Sequence, residues 1–373
     1  MKAPFNRSVA VLGTGSYLPD RIVTNENLRD WCTNYDEDSG DFSTWVDRVT
    51  HIHERRFIAE GEHAGHMAAK AAERALDMAG LKPTDLDLII HASFTPSAVV
   101  PGDHVLVADL LGAKTTPSFT LTGACVGSIY ALATAYGMVA SKAMRRVLVT
   151  GSETISPVLD YRDPLTAILF GDGAGAVVIG DVGTSEGGMA PPYMGFDFNW
   201  ENITMWNANL PFTGKVVVPA ANGNPPAMEK TFLTMTGGQT VMRSAVAAMA
   251  NSVRKVLSYE EGALPDDVRA QMRVIPHQAN GRIVDSLAKK LKVDPLRVTK
   301  TIFKVGNISA ASNVIALDYA LRHGNLTADR DPETERILAI HRIDDPIQRG
   351  ELVVLPSIGA GYLFGAVAFI NTI

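Results

Sequence analysis

The chain has 373 residues, 46% hydrophobic and 20% charged, with a net charge of −6 and two cysteines. That length allows two domains or one large duplicated one with an ample core, and the composition is that of an ordinary soluble globular protein. The acidic balance gives no electrostatic reason to bind nucleic acid, and two cysteines make no disulfide framework, which fits a reducing cytoplasm.

The first residues, MKAPFNRSVAVLGTG, run into a strand and glycines without the long apolar core of a signal peptide. The longest apolar run, AVAFI near the C-terminus, is too short to span a bilayer. A cytoplasmic location is therefore expected. Two glycine-rich stretches, GTGSYLP (13–19) and FGDGAGAVV (170–178), follow strands as nucleotide loops do. Neither has the G-x-G-x-x-G-to-acid spacing or a Walker lysine, so they are read as tight turns and close packing at the interface of the halves. His51, His53, His63 and His66 crowd one polar region, but no cysteine or patterned carboxylate completes a ligand set and no metal is expected.

A helix-like AAERALDMAGL then leads into the strand LDLIIHAS (86–93). Residues 118–122 (SFTLT) alternate and carry Phe and Thr, which predicts another strand. From Val126 onward, Ile129, Leu132 and Ala133 recur at helical spacing. Cys125 falls at the junction of these two patterns. A thiol in the first turn of a helix faces unpaired backbone N–H groups and the positive end of the helix dipole, which would lower its pKa. Gly123, Ala124 and Gly127 keep its surroundings small enough for a substrate to approach. Free thiols are also commonly buried and inert, so the local context leaves both readings open.

The strand RRVLVTGSE closes this first half. Residues 183–229, rich in Gly, Pro, Asn and aromatics, read as a long irregular excursion forming a lid or pocket wall. The order of elements then repeats: the helix SAVAAMANSVRKVLSYEEG, the strand MRVIPHQ (272–278), a strand VTKTIFKV, a glycine turn and helix in GNISAASNVIALDYAL, and the strand GELVVLPSIGAG. Aligning Ala131-Leu132 with Ala316-Leu317 gives an offset of 316 − 131 = 185 residues, close to half the chain. The expected fold is therefore α/β, with two duplicated halves (1–182 and 230–373) and largely parallel, mixed sheets. A charged stretch at 325–348 reads as a solvated surface loop.

His277 follows the strand RVIP, and Asn307 follows VTKTIFKV, so each sits at a strand C-terminal end where α/β folds gather ligand and catalytic groups. A lone His there is commonly a hydrogen-bonding structural residue, and a lone Asn after Gly is commonly a turn residue. If the halves pack about a pseudo-twofold axis, however, both meet Cys125.

Taken together, GTGSYLPDRIVTN, the Cys125 run, LFGDGAGAVV, VIPHQAN, GNISAAS and IGAGYLFGA resemble the thiolase-superfamily condensing enzymes, most closely β-ketoacyl-acyl-carrier-protein synthase III. The likeness covers the chain outside the two insertions, and the spacing 307 − 277 = 30 fits that family's Cys-His-Asn triad. It implies a thiolase-like fold of αβαβα layers, with Cys125, His277 and Asn307 catalytic and an oxyanion hole from the backbone N–H groups of Cys125 and Gly361. The implied reaction is acyl transfer to Cys125 from a CoA or acyl-carrier-protein thioester. Decarboxylative Claisen condensation with a malonyl thioester follows, without metal or organic cofactor, in fatty-acid initiation or a related secondary-metabolite pathway.

Trp45 matches the tryptophan that stacks on the CoA adenine in similar enzymes, but Val49 and Pro164 stand where two arginines usually join it. A carrier-protein donor docking on Arg282, Lys289, Lys290 and Lys292 is therefore expected. Val100 stands where acetyl-specific relatives commonly place a Phe from the partner subunit, which implies a homodimer and a longer acyl pocket. Other outcomes compatible with the resemblance are acyl transfer to a hydroxyl or amine, a non-decarboxylating head-to-head condensation, and an inactive carrier-binding scaffold.

Overall fold

The computed structural model describes residues 4–184, 186–197, 203–205, 233–235, 238–260, 262 and 264–373. Each half of the chain builds one mixed sheet. The first contains β1 (Val9–Tyr17), β2 (Leu88–Ala92), β3 (Ser118–Leu121), β4 (Arg146–Glu153) and β5 (Gly173–Asp181), in the order β1-β5-β4-β2-β3. The second contains β6 (Gly188–Met189), β7 (Tyr193–Phe196), β8 (Met272–Val274), β9 (Leu352–Gly359) and β10 (Leu363–Ile370), in the order β8-β9-β10-β6, with β7 also on β10. A parallel bridge from Val274 to Val298 stands where β3 stands in the first sheet. Strand β2 pairs in parallel with β3 and β4, as β8 does with β9; the other pairings are antiparallel.

These strands are hydrophobic on both faces, because helices cover both faces. On the outer side of the first sheet lie α2 (Ala64–Ala79) and α3 (Asp103–Leu111), with Met67 and Val107 against Ile89 and Leu148. Helix α1 (Phe42–Thr50) lies apart, in the cluster around Val46 and Ile168. Between the sheets lie α4 (Gly127–Ala140) and α7 (Ser312–His323), whose Ile129, Leu132, Val314 and Leu317 meet Val149 of one sheet and Val353 of the other. On the outer side of the second sheet lie α5 (Gly238–Val256) and α6 (Gly281–Leu291). Helix α6 shows why such segments are helical: Ile283, Val284, Leu287, Ala288 and Leu291 make one buried stripe, and the Asn280 side chain accepts the Arg282 N–H at 2.8 Å to cap its start. The expected αβαβα layering is present.

Four local expectations change. Gly13 and Gly15 lie inside β1, not in a turn, and pack on the outer helix α2 rather than at the interface of the halves; a Cβ there would sit 2.3 and 2.2 Å from the Ala75 and Ala71 carbonyl oxygens. The other glycine-rich stretch is likewise largely strand, with Gly175 of β5 against Val314 of α7. Within 183–229, residues 188–189 and 193–196 are strand, β6 and β7, which extend the second sheet along β10, while 185, 198–202 and 206–229 lie outside the described residues. The charged stretch 325–348 is not a loop but a hairpin of Asn325–Arg330 and Ile337–Ile343, anchored by Leu326 and Ile337 against Phe303. Finally, VTKTIFKV is no strand: only Val298 bridges to the sheet, and Ile302–Val305 is a short helix.

Candidate active site

Cys125 lies in a tight turn, Ala124–Val126, between β3 and α4. The second half repeats this corner at Ser309–Ala311 before α7, at the same offset of 309 − 124 = 185 residues. Ala124 (φ 46°) and Ser309 (φ 41°) are both left-handed without being glycine, a conformation costing about 1–2 kcal/mol per residue. Such strain persists where the surroundings over-determine it. Here the surroundings are strand ends. Ser357 Oγ donates to the Cys125 carbonyl oxygen at 3.1 Å, and a Cβ on Gly359 would lie 3.1 Å from the amide nitrogens of Cys125 and Val126.

His277 follows β8 and is 1% exposed; its N–H donates to Pro356 O at 2.9 Å. Asn313 of α7 donates from Nδ2 to Ile275 O (2.8 Å) and Pro356 O (3.1 Å), which fixes the two strand ends beside the imidazole. Asn307 is held by its backbone, donating to Leu169 O at 2.8 Å and accepting from Gly171 N–H at 3.0 Å. Its Oδ1 accepts the Ser309 N–H at 2.8 Å, so the amide nitrogen is the end left as a donor.

Cys125, His277, Asn307 and Ser309 all line one apolar cavity of about 790 Å³ between the halves. Trp45, tilted against Tyr35 and Phe42 at centroid distances of 5.1 and 5.9 Å, lines it too, as do Val49 and Arg282. Leu165 rather than Pro164 completes that wall. Gly361, left-handed at φ 76°, is next to the wall that Gly359, Ala360 and Tyr362 form. Val100 is 86% exposed and outside the cavity of its own chain. Lys289 and Lys290 are exposed on the last turn of α6, two turns from Arg282, and Lys292 ends the helix at φ 56°. Of the histidines, His51 meets Asp285 (3.4 Å), His53 meets Asp47 (3.3 Å), and His63 and His66 face each other with ring centroids 5.7 Å apart. No group of three or more His, Cys, Asp or Glu suited to a metal occurs among the described residues.

The electrostatics correct one expectation. Although Cys125 is only half-buried as a residue, desolvation pushes its thiol up to about 11, against the pull of the Ser309 hydroxyl and its own backbone N–H. Burial likewise drives His277 down to about 3, so its imidazole is neutral. The resting site is a neutral thiol beside a neutral imidazole, not a standing ion pair.

Residues beside the motifs build this site, and the motifs alone did not single them out. Gln278, Ser309 and Asn313 are polar neighbours within VIPHQAN and GNISAASN. Glu153, at the end of β4, is fully buried and accepts from Thr95 Oγ1 (2.5 Å), Thr95 N–H (3.1 Å), Ser93 Oγ (3.1 Å) and Phe94 N–H (3.2 Å). It thereby holds Phe94 in the cavity wall. Burial raises its pKa from 4.5 to about 7, outweighing those donors. A carboxyl whose folded pKa is raised contributes stability below its unfolded pKa and loses it as pH rises through the folded value. Between pH 4.5 and 8 the protein is therefore expected to lose about 3 kcal/mol relative to Glu153→Gln. Urea unfolding of both at pH 5 and pH 8 checks this; identical pH dependence would refute it.

The family model described as 3-oxoacyl-[acyl-carrier-protein (ACP)] synthase III matches residues 119–194, and that of its C-terminal part matches 260–331. The chain is 36% identical over 356 residues to a β-ketoacyl-[acyl-carrier-protein] synthase III of Laribacter hongkongensis, covering 95% of this chain and 97% of the relative. Its structure is similar to the 3-oxoacyl-[acyl-carrier-protein] synthase III of Aquifex aeolicus (TM-score 0.71, 32% identity, 97% of this chain and 100% of that one). It is also similar to the priming β-ketosynthase of the R1128 polyketide pathway (TM-score 0.78, 29% identity, 99% and 98%). With this fold, this cavity and that extent of identity, the chain belongs to the β-ketoacyl-[acyl-carrier-protein] synthase III family.

Proposed function

We propose that the protein initiates β-ketoacyl synthesis, in a fatty-acid or polyketide pathway, by carrying an acyl group on Cys125 and condensing it with a malonyl thioester. One observation carries this reading: a thiol, a neutral imidazole and an amide fixed as a donor share one apolar cavity. His277 takes the Cys125 proton as the sulfur attacks the acyl thioester, then returns it to the departing thiol. The developing oxyanion is held by the Cys125 N–H together with the turn 359–361. Gly361 was the expected second donor, and the cavity-lining Ala360 is the peptide of that turn better placed to share the role. The malonyl carboxylate then leaves as carbon dioxide. The enolate oxygen receives hydrogen bonds from the His277 ring N–H and the Asn307 amide, and its carbon attacks the acyl carbon as the Cys125 sulfur leaves. Both donors are neutral, so neither requires a buried counter-ion, and thioesters are the only co-reactants. Plain transfer to a hydroxyl or amine makes no use of Asn307's donor.

A carrier protein is the donor this surface favours. Val49 and Leu165 put apolar groups beside Trp45, while Arg243 and Arg282 are exposed at the cavity and Lys289 and Lys290 continue the basic face of α6. The exposed Val99 and Val100 suit burial in a homodimer, where Val100 would reach the partner's acyl pocket. No helix among the described residues is long and apolar enough to cross a membrane, and a cytoplasmic location is part of this proposal. The cavity's size and Val100 together point to a medium-chain or branched primer. Intact-protein mass spectrometry after incubation with an acyl-thioester chain-length series is expected to show adducts beyond acetyl on Cys125; an exclusive acetyl adduct would sink the longer primer.

A further inference from the structure

We propose that Ser309 is a catalytic residue of the acylation step, its hydroxyl donating a hydrogen bond to the Cys125 sulfur as the thiolate forms. The proposal rests on the reading of Cys125 as the acyl-carrying nucleophile. Ser309 is fully buried, yet its Oγ makes no hydrogen bond in the resting site among the described residues. Buried hydroxyls without partners are uncommon and are selected against unless something later satisfies them. Ser309 lines the same cavity as Cys125. Its backbone cannot swing away, because its N–H is committed to Asn307 Oδ1 at 2.8 Å and its φ is held at 41°.

The duplicated corner makes the assignment specific. Ser309 is the 185-residue counterpart of Ala124, the residue before the nucleophile, and the two corners pack against each other, with the hydroxyl on one and the sulfur on the other. A neutral thiol is a weak acceptor, which is why the hydroxyl is unpaired at rest, whereas a thiolate is a strong one. The bond therefore strengthens only as charge develops on sulfur, which is the condition for an interaction to accelerate a step. In support, the Ser309 hydroxyl already acts on the thiol as a hydrogen-bonding group that lowers its pKa against burial, although at rest the pair falls outside hydrogen-bond geometry.

The titratable groups facing the thiol are Glu153 from β4, whose charge raises the thiol pKa, and the neutral His277 after β8. The test is the pH profile of Cys125 alkylation by iodoacetamide in the full chain and in Ser309→Ala and Ser309→Gly. Both variants lack the hydroxyl, but only glycine also relieves the left-handed backbone. Alkylation at neutral pH is expected to fall about tenfold to a hundredfold in both, with the midpoint moving to higher pH, while far-UV circular dichroism is unchanged in Ser309→Gly. An unmoved midpoint in Ser309→Gly, or one restored to the wild-type value there after a shift in Ser309→Ala, would overturn the role of the hydroxyl. Absence of any acyl adduct on wild-type Cys125 would instead overturn the underlying reading, so the two failures are distinguishable.

Discussion

Cys125→Ala is expected to cut β-ketoacyl product formation by at least about 10⁴-fold and to remove the acyl adduct from the intact-protein mass spectrum. The covalent intermediate splits one hard condensation into two easier steps, and no other described cysteine can replace it, because Cys32 is buried in a separate aromatic cluster. The substitution removes a sulfur at a half-buried position and leaves the Ser357 bond to the residue 125 carbonyl in place, so folding should be retained. His277 and Asn307 are untouched as well. The variant is therefore expected to release carbon dioxide from a malonyl thioester without forming product, an uncoupling visible with labelled malonyl substrate. Product formation near the wild-type rate would rule out Cys125 as the acyl carrier.

Asn307→Ala is expected to leave acylation of Cys125 close to normal while slowing condensation about 10²- to 10³-fold, the usual effect of losing one donor to a developing oxyanion. Alanine also strands the Ser309 N–H that Oδ1 accepts, a buried loss of about 1–3 kcal/mol, so stability must be checked separately. Asn307→Asp supplies the control. It keeps an oxygen for Ser309 N–H but, when ionised, presents only acceptors where the enolate oxygen needs a donor. It should therefore fold at least as well as Asn307→Ala and condense more slowly still. Single-turnover experiments starting from the acylated enzyme separate the two half-reactions. Condensation that survives both substitutions would rule out Asn307 as the donor to the enolate.

Much of this was legible in the sequence because strand ends and helix starts announce themselves. The alternation of SFTLT followed by the helical spacing after Val126 located the Cys125 corner, and the 185-residue offset brought His277 and Asn307 to the same interface. The approach to Asn307 was misread for a definable reason. Val298, Thr299, Thr301 and Ile302 have strand propensity, but the Gln278 side chain intervenes. Its Oε1 accepts the N–H groups of Thr301 (2.9 Å) and Ile302 (3.1 Å), which ends the ladder and starts a helical turn. The 325–348 hairpin was hidden because one of its faces is solvated and charged; its backbone is fastened from elsewhere, with Ile337 N–H donating to the buried Asp47 at 3.0 Å. The thiol's protonation was misjudged because helix-end charge is visible in a pattern, whereas desolvation depends on what the other half of the chain packs around it.

The two facing corners also differ in what packs against them. At the nucleophile's corner the closely packed glycine, Gly359, abuts two amide nitrogens along with one carbonyl oxygen; at its twin, Gly151 abuts the carbonyl oxygen of Ala310, where a Cβ would lie 2.9 Å away. Only the first corner carries a nucleophile, because residue 310, the 185-residue counterpart of Cys125, is alanine. A chain that carries every corner twice has in this way become a molecule with a single reaction centre. Moving a cysteine to position 310 would supply a second sulfur but not a second histidine and asparagine, because the counterparts of His277 and Asn307 (277 − 185 = 92 and 307 − 185 = 122) are Ala92 and Thr122.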